Sequence, residues 1–130
     1  MAIDSKQIMR NILDDIKTFG LRNFDLNWRV GQYADDGGNL KLWKPRKQSY
    51  AHPIMIKSGD SINSLTSNIT TAQITFKVLT PYIKYHQVGT GRLPARPVLY
   101  HDKAMDQEVG DSIKKNMKVW FDQSVPKQNR

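Results

Sequence analysis

At 130 residues the chain is long enough to bury one real core and too short to hold two domains. The absence of cysteine excludes a disulfide framework, a thiolate metal site and a cysteine nucleophile. Mean hydropathy is −0.60, and no apolar run approaches the ~20 residues of a membrane span, so the expectation is a soluble protein of the cytoplasm of the cell that makes it. The first ten residues hold no continuous apolar core and do not read as a secretory signal.

The net charge of +8 is unevenly placed. Both ends nearly cancel, whereas residues 41–100 hold nine Lys and Arg against a single acid, Asp60. A basic centre fits a polyanion or an acidic partner, and equally a solvated face that keeps the protein dispersed. Lys41, Lys44, Arg46, Lys47 and Lys57 are the candidate basic surface.

In chain order, residues 4–19 predict an amphipathic helix. Ile8, Ile12, Ile16 and Phe19 repeat at three and four, Met9 and Leu13 widen the stripe, and Asp4 or Ser5 can cap its start. Gly20 is placed to end this first part, and Leu21, Phe24 and Trp28 carry the spacing into a second or kinked helix reaching about Val30. Residues 34–39 are turn formers. From there to about residue 57 a long surface loop is expected, pinned by Trp43 and Tyr50, of the kind that tends to be functional or disordered.

Residues 57–60 read as a turn. Leu65, Ser67 and Ile69, then Ile74, Phe76 and Val78, alternate with polar neighbours and predict an antiparallel hairpin joined around residues 70–72. Thr80 and Pro81 read as the N-cap and first position of a short helix that carries Tyr82, Tyr85 and His86 on one face. Gly89 and Gly91 allow it to stop and turn. Leu93 to Pro97 should run extended, because each residue before a proline is pushed out of the α region. Residues 102–121 predict the final helix, capped by Asp102, with Met105, Val109, Ile113, Met117 and Trp120 as its apolar stripe. Gly110 inside it costs roughly 1 kcal/mol relative to alanine unless a neighbour packs closely there. The tail over 124–130 is expected to fray. The fold class expected is α+β, a small antiparallel sheet flanked by the two terminal helices.

Nothing in the sequence assembles a catalytic group. The three histidines lack a metal-ligand neighbour at helical or hairpin spacing, and His86 reads as a packed or capping imidazole. Asp14 and Asp15 are adjacent and point to different sides of their helix. Residues 58–61 contain serine and aspartate without a nucleophile elbow. Gly89-Thr90-Gly91-Arg92 could hold a phosphate but lacks the strand-to-helix setting of a nucleotide loop, and a plain turn explains it better. No enzyme, cofactor or metal is expected.

Three pieces stand in a fixed order: Leu42-Trp43-Lys44-Pro45; Ser58-Gly59-Asp60-Ser61-Ile62-Asn63-Ser64-Leu65; and Tyr82-x-x-Tyr85-His86-Gln87-Val88-Gly89 followed by Leu93-Pro94-Ala95-Arg96-Pro97-Val98-Leu99. Together they resemble the phage virion morphogenesis family, the tail completion proteins of Mu-like phages and prophages, over roughly residues 40–100. Ser58 and Ser61 stand where threonine and leucine are usual, and the long insertion of many members is missing. The resemblance implies a structural, non-enzymatic protein of tail completion or head–tail joining, working as a ring. Its implied partners are itself and neighbouring tail or connector proteins, and its place is the virion, or the host cytoplasm during assembly.

Within that frame Arg92, Leu93, Pro94, Arg96 and Pro97 form a candidate assembly arm, stiff before any partner arrives. Arg96 is suited to a bidentate contact with a neighbour's carboxylate, or alternatively to a pair inside its own domain with an acid of the C-terminal helix. The alternative function is a small DNA-binding protein using residues 41–57 with Arg92 and Arg96; any duplex contact is expected to be non-specific.

Overall fold

A computed structural model describes residues 4–45, 60–70, 72–91 and 94–124. Tyr50, Arg46, Lys47, Lys57, Ser58, Arg92 and Leu93, singled out above, lie outside the described residues.

The chain begins with one long helix, α1 (Ser5–Val30). Asp4 caps it by accepting the Gln7 amide at 2.8 Å, and Gly31 ends it at φ 86°, its amide reaching the Asn27 and Trp28 carbonyls. Gly20 does not stop the helix. It is buried, and a Cβ there would lie 2.3 Å from the Phe76 ring and 3.0 Å from Met105, so its role is close approach.

Past Gly31 the chain folds back as a hairpin absent from the sequence reading: β1 (Gln32–Ala34) paired with β2 (Leu40–Leu42), Tyr33 opposite Lys41. Its turn is wrapped around the Asp35 carboxylate, which accepts the Gly37 and Asn39 amides, and Gly38 takes φ 80°. The Trp43 amide then donates to the Gly31 carbonyl at 2.8 Å. The segment expected to be loop throughout therefore starts as a strand and is anchored at Trp43, which is 4% exposed.

After the single-turn helix α2 (Asp60–Asn63) comes the expected second hairpin, β3 (Leu65–Ile69) with β4 (Ile74–Val78), in the register Leu65–Val78, Ser67–Phe76, Ile69–Ile74. The short helix α3 (Ile83–Val88) starts later than Thr80–Pro81 implied: its cap position is Tyr82, with no side-chain cap, because the Thr80 hydroxyl is engaged by Ser61 at 2.8 Å. Gly89 closes it at φ 77°, while Gly91 stays outside the left-handed region. The last helix, α4 (Lys103–Ser124), starts on Asp102, whose Oδ1 accepts the Met105 amide at 2.7 Å.

The architecture is α+β, with two two-stranded antiparallel sheets among the described residues and long N- and C-terminal helices. α1 lies on β3 and β4, and α4 packs along α1 in the antiparallel sense, since Asn23 meets Asp102 at one end and Asp15 meets Asn116 at the other. One core cluster joins Trp28, Trp43, Ile62 and Val98. A second stacks Phe24 edge-on between Phe76 and Tyr100, each ring centre 5.2 Å away.

The seam between α1 and α4 departs from the sequence pattern. The fully buried α4 side chains are Ser112 and Asn116, both donating to the Asp15 carboxylate, which also takes Lys115 at 2.9 Å. Burial alone would raise the Asp15 pKa, yet the hydrogen bonds from Lys115, Ser112 and Asn116 and the Lys115 charge hold it below the usual carboxylate range. Ile113 and Met117, expected in the core, stand 43% and 47% exposed.

Candidate functional site

The pieces that carry the sequence resemblance meet at one place. His86 and Gln87, at the C-terminal end of α3, face the strand-like segment 96–99. The Arg96 amide donates to the His86 carbonyl at 2.7 Å. The Gln87 Oε1 accepts the Val98 and Leu99 amides at 2.9 and 3.1 Å, and its Nε2 donates to the Leu99 carbonyl at 2.6 Å. One glutamine thus acts as a surrogate strand for a segment whose prolines keep it out of a sheet.

From the other side comes the chain around Trp43. Its indole Nε1 donates to the Pro97 carbonyl at 2.9 Å, and the Lys44 carbonyl accepts both Nε and Nη2 of Arg96 at 3.0 and 2.9 Å. Beneath, Ser61 joins Thr80 and donates to the Tyr82 hydroxyl at 3.1 Å. Val98 and Ile62 form one buried apolar cluster with Trp28 and Trp43.

This placement corrects the picture of a free docking arm. Arg96 is 8% exposed and turned into its own domain, where it holds the Lys44 backbone carbonyl. A guanidinium can be buried here because its Nε and Nη2 are met by a carbonyl and its stem covers apolar surface. Pro97 is half-buried and presents its carbonyl inward; Pro94 is half-buried and Ala95 exposed. Of the basic candidates, Lys41 and Lys44 are exposed, with Lys41 Nζ 3.9 Å from Asp35.

No family model, curated protein or solved structure matches this chain. The site is therefore interpreted from its own chemistry.

His86 is packed against this network, with its Nδ1 buried and unbonded. Burial, and secondly the Arg96 charge, holds the imidazole below the usual histidine range, so it is neutral at pH 7. Tyr82 and Tyr85 are half exposed and not core, and the Lys84 ammonium sits 5.1 Å over the Tyr85 ring. Beside the network an open cleft of about 580 Å³ runs past Tyr33, Asp35, Gln87, Tyr100 and His101. Burial pushes the Tyr100 phenol up to about 12; the Asn27 amide partly offsets this and the Asp102 charge adds to it. Neither the Tyr100 hydroxyl nor the Asn27 amide nitrogen makes a well-formed hydrogen bond, so that contact is polar but not a full bond. His101 is exposed and tied to Asp106 at 2.5 Å. Among the described residues no three His, Asp or Glu side chains are grouped to hold a metal.

Sequence reasoning found Trp43 and Arg96 but missed Gln87, whose role requires two chain segments to be brought together. The sole cue was its place between His86 and Gly89 within the resemblance.

Proposed function

We propose that this chain is a non-enzymatic structural protein of phage or prophage virion assembly, acting in tail completion or head–tail joining as a homo-oligomeric ring. The observation that carries this reading is the convergence of the resemblance-bearing pieces. Trp43, Gln87 and Arg96 spend their polar atoms on backbone groups of one another's segments. Such residues define a fold rather than a reaction, as expected of a motif shared by structural subunits. Exposed Leu79, Tyr82, Tyr85 and Val88, gathered over residues 79–88, supply apolar surface that suits a subunit contacting neighbours in a particle.

Its partners in this reading are its own copies and adjoining tail or connector proteins, in the virion and before that in the host cytoplasm. Any contact with DNA is electrostatic and non-specific. The test is electron microscopy of particles from a phage or prophage lacking the protein. Full heads and separate tails are the expected result; normal joined virions would overturn the proposal.

A second reading, a small basic DNA-binding protein, draws on exposed Lys41 and Lys44 beside the first hairpin. Burial of Arg96 removes one cation from that surface. Tight, sequence-selective duplex binding that persists at physiological salt would favour it over the first, because purely electrostatic binding falls steeply with salt.

A further inference from the structure

The two sides of helix α3 differ in kind. Tyr82, just before it, and Lys84, Tyr85 and Val88 fall on its outward side, while Ile83, His86 and Gln87 turn inward. Leu79 and Val88 are 65% and 76% exposed, and both tyrosines are half exposed. The Tyr82 hydroxyl is fixed by Ser61 and the Lys84 ammonium lies over the Tyr85 ring, which lowers the ordering left to lose on docking. This face is positive. Residues 61–101 contain no Asp or Glu, and among the described residues Lys84 forms no salt bridge. The acid nearest in the chain, Asp60, is itself engaged.

The opposite character appears in the cleft on the inward side, where Gln87 is part of the wall. Asp35 and Asp36 line it together with Tyr33, Tyr100, Pro97 and Leu99. One Asp35 oxygen is taken by the turn amides and the other has Lys41 at 3.9 Å. Asp36 is exposed and, among the described residues, forms no ion pair. Carboxylates beside tyrosines suit a cation carried on an apolar mount. At about 580 Å³ the cleft has the size of sites that take a small ligand or a few side chains.

The chain thus carries a basic, apolar knob and an acidic, aromatic socket on opposite sides of one short helix. Aliphatic Leu79 and Val88 offer nothing to a phosphate backbone, which favours a protein over a nucleic acid as the occupant. We infer that the outward face of α3 docks in the Asp35–Asp36 cleft of a second copy of this chain, with Lys84 reaching the neighbour's Asp36. The contact rests on the ring reading for the presence of like neighbours and names the two surfaces that meet. It is heterologous, so each copy keeps a knob or a socket free for the next, and repetition closes a ring or runs on as a fibre according to the rotation per step. An isologous contact would stop at two copies.

The test is sedimentation of the full-length protein over a range of concentrations, with substitutions at exposed positions. Wild type is expected to associate beyond the dimer. Lys84→Ala with Val88→Ala blanks the knob and leaves the socket intact; Asp36→Lys does the reverse. Each variant alone should associate roughly tenfold more weakly or worse, while melting near the wild-type temperature. Mixed in equal amounts they should form a one-to-one pair and stop there, because one intact knob and one intact socket remain between them. Variants that associate as wild type does overturn this contact and leave the ring to another face. A mixture that stays monomeric, or that grows beyond the pair, overturns it as well. A wild type monomeric up to its solubility limit overturns the contact and the homo-oligomeric ring together, whereas the virion role is decided by the particles lacking the protein. Uptake of a single-stranded oligonucleotide by that monomer, lost with Lys84→Ala, would name nucleic acid as the occupant instead.

Discussion

The two helical glycines make a paired experiment, because the same substitution should act in opposite directions. At Gly20 a methyl group would sit 2.3 and 2.6 Å from two carbons of the Phe76 ring, where ordinary contact begins near 3.4 Å. The ring must therefore retreat by about an ångström. It is backed by Phe24, 4% exposed, whose own ring is held edge-on against Tyr100. Overpacking of this kind costs about 1–3 kcal/mol. Alanine returns about 1 kcal/mol through helix propensity. The net for Gly20→Ala is a loss of up to about 2 kcal/mol, or up to roughly 6 °C in Tm. Gly110→Ala receives the propensity gain with no clash, and should raise the Tm by roughly 3 °C in dilute, monomeric protein. Calorimetry on both variants at one concentration reads the difference. In a Phe76→Val background the overpacking cost of Gly20→Ala should vanish, a coupling of about 1–3 kcal/mol. If Gly20→Ala stabilises as Gly110→Ala does, the close approach of α1 to β4 is wrong.

Other outcomes follow from the network around Trp43. Arg96→Ala removes both donors to the Lys44 carbonyl and the buried stem, and should lower the urea midpoint by an amount equivalent to about 2–3 kcal/mol; Arg96→Lys, lacking the planar fork, should recover little of it. Gln87→Ala leaves two amides and a carbonyl unpaired and should cost about 2–4 kcal/mol, whereas Gln87→Glu retains the acceptor for Val98 and Leu99 and should cost less, as chemical unfolding can show. His86 gives a pH signature. The unfolded chain takes up its proton near pH 6.5 and the folded one only at lower pH, so its contribution is complete above that pH and stability falls as pH drops below it. His86→Gln should flatten this slope in melts taken across that range, with the neutral-pH Tm changed far less.

The sequence made some of this legible and hid the rest for identifiable reasons. The hairpin of β3 and β4 could be placed to the residue because five-residue strands alternate long enough to reveal their period. The three-residue strands β1 and β2 do not, and their turn formers looked like plain loop. Asp4 and Asp102 announced both helix starts. Gly20 misled because glycine in a helical pattern reads as a stop, whereas its actual cause is a phenylalanine 56 positions further along. The stripe of α4 was correctly seen but packs inward only in part: Met105, Val109 and Trp120 are half-buried, while Ile113 and Met117 are exposed. A pattern argument puts apolar residues inward, and α1 instead offers α4 a carboxylate, Asp15, which draws Ser112 and Asn116 to the seam. Arg96 was a near-even choice between surface and interior, because burying a charge is rare and depends on an acceptor, here a backbone carbonyl, that no sequence motif marks.

The bonds from Trp43 to Pro97 and from Arg96 to Lys44 span 54 and 52 positions, and that separation has a kinetic consequence. The second hairpin is local and can form early, while these staples must wait for a long loop to close. On the ribosome, Trp28, Trp43 and Ile62 emerge well before Val98, and until it arrives their cluster lacks one wall. Two of the chain's three tryptophans report on that closure, so their fluorescence should follow a late folding step, with apolar surface exposed until it is complete.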